Sequence, residues 1–316
     1  MATGDRNASI RSGPIVVIGS VNMDLVCKTP HIPVPGQTIL GSDFVTIPGG
    51  KGANQAVAAA RLGGDVHFIG RVGDDDLGRR LLDGLNRNKV AVDHVGVTPG
   101  APSGVAMILV DREGENSIVV APGANHKLTP ADIDAASALL RRASIAVMQL
   151  EIPFPTVQHA IALCRKFGVF TILDPAPAPQ KLPAGLWSVD ILTPNETEAR
   201  ILMGPAAEAL DDARIGASFL ARGARRAVLK LGARGAMIVC PDLKSMRIGG
   251  FRVKVVDTTA AGDAFTGAMA VALAEGLPMP EAVRFANAAG ARCCERFGAQ
   301  PSLPDRASVL SLLRRT

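Results

Sequence analysis

Short unbroken apolar runs alternate with segments of helical spacing along this chain, and that alternation limits its fold more than any other feature. Ile15–Ser20 reads IVVIGS, and Val66–Val72, Ser144–Leu150, Val169–Leu173, Val189–Leu192 and Ala227–Leu231 are runs of the same kind. A strand that is apolar at every position must be covered on both faces, as in a parallel sheet; a strand with one wet face would alternate apolar and polar residues. Helical segments lie between the runs. Asn54–Leu62 stops at Gly63-Gly64, and Leu77, Leu81, Leu82 and Leu85 share one side of Asp75–Asn88. The expected fold is α/β: a three-layer, mainly parallel sheet with helices on both faces.

Two stretches break the alternation. Gly104–Val110 and Ser117–Ala121 are short β-rich runs on either side of a polar, Gly-containing turn, a hairpin pattern, and Val26–Phe44 holds further short apolar patches. They predict a small second β-sheet drawn from about 26–46 and 103–122, either a lid over a cleft or a plain sheet edge. Residues 236–256 predict two or three more strands, including the run FRVKVVD, and the last third predicts helices at 261–275, 280–296 and 305–314. Residues 1–13 read as a polar tail without the apolar core of a secretory signal, and 14–316 as one domain.

With 316 residues, 47% of them apolar, the chain can bury a large core. It has one Trp and no Tyr, which disfavours a carbohydrate surface built on aromatic stacking. The net charge of +5 is spread over short pairs such as Arg79-Arg80, Arg141-Arg142 and Arg225-Arg226. Without a basic run interleaved with aromatics, no nucleic-acid partner is expected, and a modest positive balance suits an anionic small substrate. The five cysteines (27, 164, 240, 293 and 294) lack metal spacing and predict a reducing, cytoplasmic setting. No apolar run reaches the length of a membrane span. The histidines at 31, 67, 94, 126 and 159 form no ligand spacing.

Four patterns carry chemistry. In Asp257–Gly267 (DTTAAGDAFTG) small residues open a helix with Phe265, Met269 and Leu273 on one face. Ala260, Ala261 and Gly262 have almost no side chain, so backbone N–H groups at the helix start can meet an anion, helped by the helix dipole. Asp263 adds a proton acceptor at the same place, and the two together are what phosphoryl transfer to an alcohol needs. The plainer reading of Asp263 is an N-cap. In Gly49–Gln55 (GGKGANQ) the glycines let backbone approach a ligand, and Lys51 and Asn54 offer donors. It is no P-loop, because Val45 and Gly52 stand where Gly and Ser or Thr are required; a tight turn before a helix is the alternative. Asn22-Met23-Asp24 follows the first strand, where parallel sheets bind ligands; Asp24 could accept two hydroxyls and Asn22 one more, or the segment is an Asx turn. Asn195 and Glu198 share a helix face and could hold magnesium-bound water or phosphate, or simply cap a helix after Pro194.

In their order along the chain these motifs resemble the ribokinase/phosphofructokinase-B family of sugar kinases. The likeness runs from roughly Ile15 to Leu303 through GSVNMD (19–24), PGGKGANQAVAAARLG (48–63), GDDDLG (73–78), GEN (114–116), MQLE (148–151), DPAPA (174–178), TPNETEA (193–199), DTTAAGDAF (257–265) and GAQPS (298–302). The resemblance implies ATP-dependent phosphorylation of the O5 hydroxyl of ribose. Deoxyribose, another small sugar or nucleoside, or a non-catalytic sugar sensor are the alternatives, and the missing G-x-G-x-x-G disfavours a nucleotide-linked oxidoreductase. It implies Asp263 as catalytic base and Ala260, Ala261 and Gly262 as the anion hole. Asn22, Met23, Asp24, Gly50, Lys51, Gly52, Ala53, Asn54 and Glu151 become sugar contacts. Asn195, Lys230, Leu231, Gly232, Ala233, Arg234, Gly235, Gly262 and Asn287 become nucleotide contacts, and Glu198 the residue linked to Mg2+. A monovalent cation, K+, is implied at Asp257, Thr259, Cys293, Arg296, Gly298 and Ser302, and a homodimer through the β lid. Two positions depart from the pattern: Lys230 stands where Thr is common, and Cys293 replaces a smaller residue.

Overall fold

A computed structural model describes residues 10–241 and 243–315. In chain order the strands are β1 (Ile15–Ile18), β2 (Asn22–Lys28), β3 (Asp43–Gly49), β4 (Val66–Gly73), β5 (Val90–Thr98), β6 (Gly104–Val110), β7 (Asn116–Ala121), β8 (Ile145–Met148), β9 (Phe170–Leu173), β10 (Ile191–Leu192), β11 (Ala227–Lys230), β12 (Ala236–Cys240) and β13 (Leu243–Ile248). The α-helices are α1 (Lys51–Arg61), α2 (Asp76–Arg87), α3 (Pro130–Ala135), α4 (Ser137–Arg142), α5 (Phe154–Phe167), α6 (Glu196–Met203), α7 (Asp212–Ala221), α8 (Ala261–Ala274), α9 (Met279–Cys293) and α10 (Arg306–Leu313). The main sheet runs β13-β12-β11-β10-β9-β8-β1-β4-β5, and a second sheet runs β3-β2-β6-β7. Neighbours in the main sheet are parallel from β11 to β5, and β12 and β13 extend it antiparallel.

The double cover expected from the apolar runs is what forms. Side chains alternate along a strand, so Ile15 and Val17 of β1 join Val57, Met269 and Val283 in one core, while Val16 and Ile18 join Ile133, Ile161 and Phe219 in the other. Burying each such side chain is worth roughly 1.5–3 kcal/mol. β1 is apolar throughout, so register rests on its pairing, Ile15 with Val66 on one side and with Ile145 on the other. Strand order reverses between β1 and β8, which opens a crevice beyond their carboxyl ends. Ser20, just after β1, reaches across it and donates from Oγ to Glu151 Oε2 at 2.5 Å.

Several boundaries differ from expectation. Residues 251–256 form no strand. Val255 and Val256 are exposed, and the N–H groups of Val256 and Asp257 donate to the Cys294 carbonyl at the end of α9 (2.8 and 3.3 Å) rather than to a sheet neighbour. α1 begins at Lys51, not Asn54, because Gly50 takes φ 87° and turns the chain straight into the helix. The second sheet starts at Asn22, so Asn22-Met23-Asp24 is strand and not an Asx turn. Strand β5 has no unbroken apolar run to mark it, because it is a half-wet edge strand interrupted by Asp93 and His94. Of the tail, residues 1–9 lie outside the described residues; Arg11 clamps the carbonyls of Leu140, Ala143 and Phe167 at the ends of α4 and α5. Among the described residues no helix is long and apolar enough to cross a membrane.

Candidate active site

The site grows from the approach of α1 to the β1–β2 connection. A Cβ on Gly52 would stand 2.6 Å from Ser20 N, so only glycine lets the helix come this close. That contact brings the first turn of α1 beneath β2, with Lys51 N–H donating to Glu151 Oε2 at 3.1 Å. Asn125 holds the other side, accepting from Val21 N–H (2.9 Å) and donating to Asn22 Oδ1 (2.7 Å). Asn22 Oδ1 thus already accepts one hydrogen bond, which leaves its second lone pair and its amide N–H for a ligand. Met23 and Ala53 are fully buried among apolar neighbours, so their side chains only support the site.

Asp263 sits in the first turn of α8 and is 7% exposed. It is not the N-cap; that position belongs to Ala260, held at φ 60°, and no side chain caps the helix. A non-glycine residue in the left-handed region is strained, and such strain collects at functional sites. Of the three residues expected in the anion hole, Ala261 has its N–H already turned to Thr258 O at 3.2 Å. The Asp263 carboxylate accepts from Asn54 Nδ2 and Gln55 Nε2, both at 3.0 Å. Burial pushes its carboxyl up to about 6, against the pull of the Lys51 ammonium. Asp24 is pushed up to about 7 by burial, then by the charges of Glu151 and Asp263. Burial works against the Lys51 charge, but Asp263, Glu151, Asp174 and Glu198 outweigh it and raise its pKa. Asn54 Oδ1 is buried without a partner beside Asp263. An orphaned acceptor costs roughly 1–3 kcal/mol, and a ligand hydroxyl would satisfy it.

Gln55, Gln149 and Asp174, which lie in the GGKGANQ, MQLE and DPAPA segments without an expected role, belong to the same cluster. Gln149 Nε2 donates to Gln55 Oε1 (2.7 Å), Gln55 Nε2 to Asp174 Oδ2 (2.9 Å), and Lys230 Nζ to Asp174 Oδ1 (2.8 Å). A Gln amid the alanines of α1 was the available signal.

On the other flank Asn195 and Glu198 make a reciprocal capping box at the start of α6, each donating backbone N–H to the other's side chain at 2.8 Å. The plainer reading of this pair is thus the one the geometry displays. Burial and the charge of Asp174 raise the Glu198 carboxyl against Lys230. Its Oε2 is engaged by Asn195, and its other oxygen is the hard donor type that suits magnesium or its bound water. Gly232 and Gly235 adopt positive φ in the loop after β11, and Ala233 lies between them. Leu231 is buried in the core, so only its backbone could touch a nucleotide. Arg234 is ion-paired with Glu196 and Asp212. Asn287 Nδ2 is taken by the carbonyls of Ile248 and Gly249 (3.2 Å each).

The expected cation residues gather behind the start of α8. Asp257 Oδ1 accepts from Thr259 N–H (2.9 Å) and Thr259 Oγ1 (2.7 Å), and Asp257 Oδ2 from Gly298 N–H (2.8 Å). Cys293 Sγ lies 3.4 Å from Thr259 O and 3.0 Å from Ser302 Oγ. Burial pushes its thiol up to about 12, so it stays neutral. Arg296 N–H turns back to Cys293 O at 3.4 Å. Carboxylate and carbonyl oxygens here are the donors a hard monovalent cation prefers.

An α/β sheet with a buried carboxylate beside an uncapped helix start, facing a polar crevice at the strand switch point, defines a phosphotransferase-type site. A family model described as pfkB family carbohydrate kinase matches residues 13–306. The ribokinase of Bacillus subtilis (strain 168) is 42% identical over 303 residues, covering 95% of this chain and 99% of its own. The solved structure of ribokinase from Thermotoga maritima has a TM-score of 0.88 and 37% identity, covering 96% of this chain and 99% of that one. Arabidopsis thaliana ribokinase complexed with ribose and ATP has a TM-score of 0.86 and 34% identity over the same shares. The chain belongs to the pfkB family of carbohydrate kinases.

Proposed function

We propose that this chain transfers the γ-phosphoryl group of ATP to the O5 hydroxyl of ribose, giving ribose 5-phosphate and ADP. The observation that carries the reading is the Asp263 carboxylate, buried, oriented by Asn54 and Gln55, and set in the uncapped first turn of α8. Asp24 and the Asn22 amide bind sugar hydroxyls, and Asn54 Oδ1 accepts another. Asp263 takes the O5 proton as the oxygen attacks phosphorus in line. The α8 amides and the Lys51 ammonium neutralise charge on the transferred group. Glu198 is the residue that would hold magnesium through its bound water, and the ion, arriving with ATP, would supply further positive charge to the phosphates. Asp257, Thr259, Cys293, Arg296, Gly298 and Ser302 would hold a monovalent cation, whose charge would steady the segment leading into α8.

The second sheet acts as the lid over the sugar, since Asp24 belongs to β2. It also carries exposed apolar side chains, Phe44, Met107 and Val119 among them, on the face opposite Asp24. Apolar patches of this kind mark contact surfaces, and we assign it to a homodimer. The five cysteines are free thiols, in keeping with a cytoplasmic setting. The test is ADP release from ATP with ribose, deoxyribose, fructose or adenosine, each with and without potassium. Ribose should be turned over with the highest kcat/KM, and potassium should raise it; a preference for deoxyribose or adenosine would reassign the acceptor.

A further inference from the structure

Lys230 closes β11 at the carboxyl edge of the sheet, its backbone tied to the neighbouring segment by Lys230 N–H to Pro194 O at 2.9 Å. Its Nζ donates to Asp174 Oδ1 at 2.8 Å, and the two side chains are only 11% and 2% exposed. A buried ion pair is a poor source of stability, because desolvating two charges offsets most of their attraction. Its location gives it another use. A Cβ built on Gly262 would lie 3.3 Å from Lys230 Nζ, so the ammonium stands over the start of α8. Among the described residues Asp174 is the acceptor that engages it, and its remaining N–H donors can turn to a phosphate. The partner carboxylate is fixed in turn. Asp174 Oδ2 accepts from Gln55 Nε2 at 2.9 Å and Thr266 Oγ1 at 3.5 Å, and Gln55 Nε2 also reaches Asp263 Oδ1 at 3.0 Å. One hydrogen-bonded chain therefore runs from the ammonium to the catalytic carboxylate.

We propose that Lys230 is a catalytic residue on the leaving-group side of the transfer and that Asp174 is its positioning residue. The assignment rests on the phosphotransfer reading above. Lys230 heads the loop that faces the nucleotide, whereas Asp24 and Asp263 serve the sugar, so its charge meets the β-phosphate. As O5 bonds to the γ-phosphorus, its proton passes to Asp263. The bond from that phosphorus to the bridging oxygen breaks, and the electron pair stays on the β-phosphate of ADP. Lys230 donates a hydrogen bond to that growing charge and keeps its own protons. This is a role that a threonine at the same position could meet only with a neutral donor.

The experiment compares full-length wild type with Lys230→Met, measuring ADP and AMP affinities by calorimetry and kcat and KM for ribose. Loss of a charge-assisted hydrogen bond should weaken ADP about 10-fold or more. AMP, which lacks the β-phosphate, should bind as before, and kcat should fall while the KM for ribose holds. Asp174→Ala should lower kcat with ribose KM unchanged, and Asp174→Asn, which keeps an acceptor for Nζ, should recover part of the loss. If an unpaired Asp174 prevents Lys230→Met from folding, Lys230→Met/Asp174→Asn removes both charges and carries the same expectation. Unchanged ADP affinity and kcat, or an equal loss of ADP and AMP, would overturn the assignment. Wild type that releases no ADP with any sugar would defeat the transfer reading instead, since the ADP–AMP difference needs no turnover.

Discussion

The two carboxylates proposed as base and sugar ligand, Asp263 and Asp24, lie near one another, and burial raises both. Asp263 must be ionised to accept a proton, and its carboxyl is pushed up to about 6. Turnover should therefore fall as pH is lowered through about 6 and level off above it, which a kcat profile at saturating ribose and ATP would show. Asp24, raised to about 7, accepts hydroxyl hydrogens best when ionised. Ribose affinity measured by calorimetry should accordingly weaken between pH 8 and pH 6. The same shifts have a cost in stability. Unfolded carboxyls ionise near 3.8, folded ones near 6 and 7, so across that window the folded state binds more protons and loses stability as pH rises. Asp24→Asn should consequently melt at or above the wild-type temperature at pH 8 while binding ribose less well. No change in affinity with pH and no loss in Asp24→Asn would remove Asp24 from the sugar site.

At the scale of elements, function depends on how closely α1 approaches the β1–β2 connection. Gly52→Ala would put a Cβ 2.6 Å from Ser20 N and 2.7 Å from Ser20 O, both backbone atoms that cannot step aside. Overpacking of this kind costs about 1–3 kcal/mol. The unfolding free energy from denaturant titration should fall by that much, and KM for ribose should rise as Lys51 and Asn54 shift; an unperturbed variant would show that the contact is slack. The elements themselves were largely legible, because β1 and β8 are apolar at every position and α2 repeats leucine at helical spacing. What escaped reading depends on partners remote in sequence. Gln55 and Asp174 are 119 positions apart, and Gln55 and Asp263 are 208 apart, so no local pattern announces that one amide bridges two carboxylates. Residues 251–256 have strand-forming side chains but no ladder to join, and propensity without a neighbour does not make a strand. Asn22 shows the same limit at atomic detail: its place in the site was readable, but the capture of its oxygen by Asn125 was not.

For the whole molecule, the proposed homodimer would join catalysis to assembly through the second sheet. Phe44 is 63% exposed and Val119 58%, on the face of the sheet away from Asp24. Val119→Glu with Met107→Glu should shift sedimentation from dimer to monomer without lowering the melting temperature of the monomer's own core. Sedimentation of wild type as a monomer would separate the lid from any role in assembly. The main sheet, by contrast, is sealed on both faces by helices, and its proposed catalytic end is the crevice where strand order reverses. The proposed mechanism converges on one act, removal of a proton from the acceptor hydroxyl by Asp263. The most direct measurement is ADP release with ribose by wild type and by Asp263→Asn, alongside ribose binding to both. Loss of the base should lower kcat by about 10²–10⁴ with ribose affinity largely kept; turnover by Asp263→Asn at the wild-type rate would contradict the account.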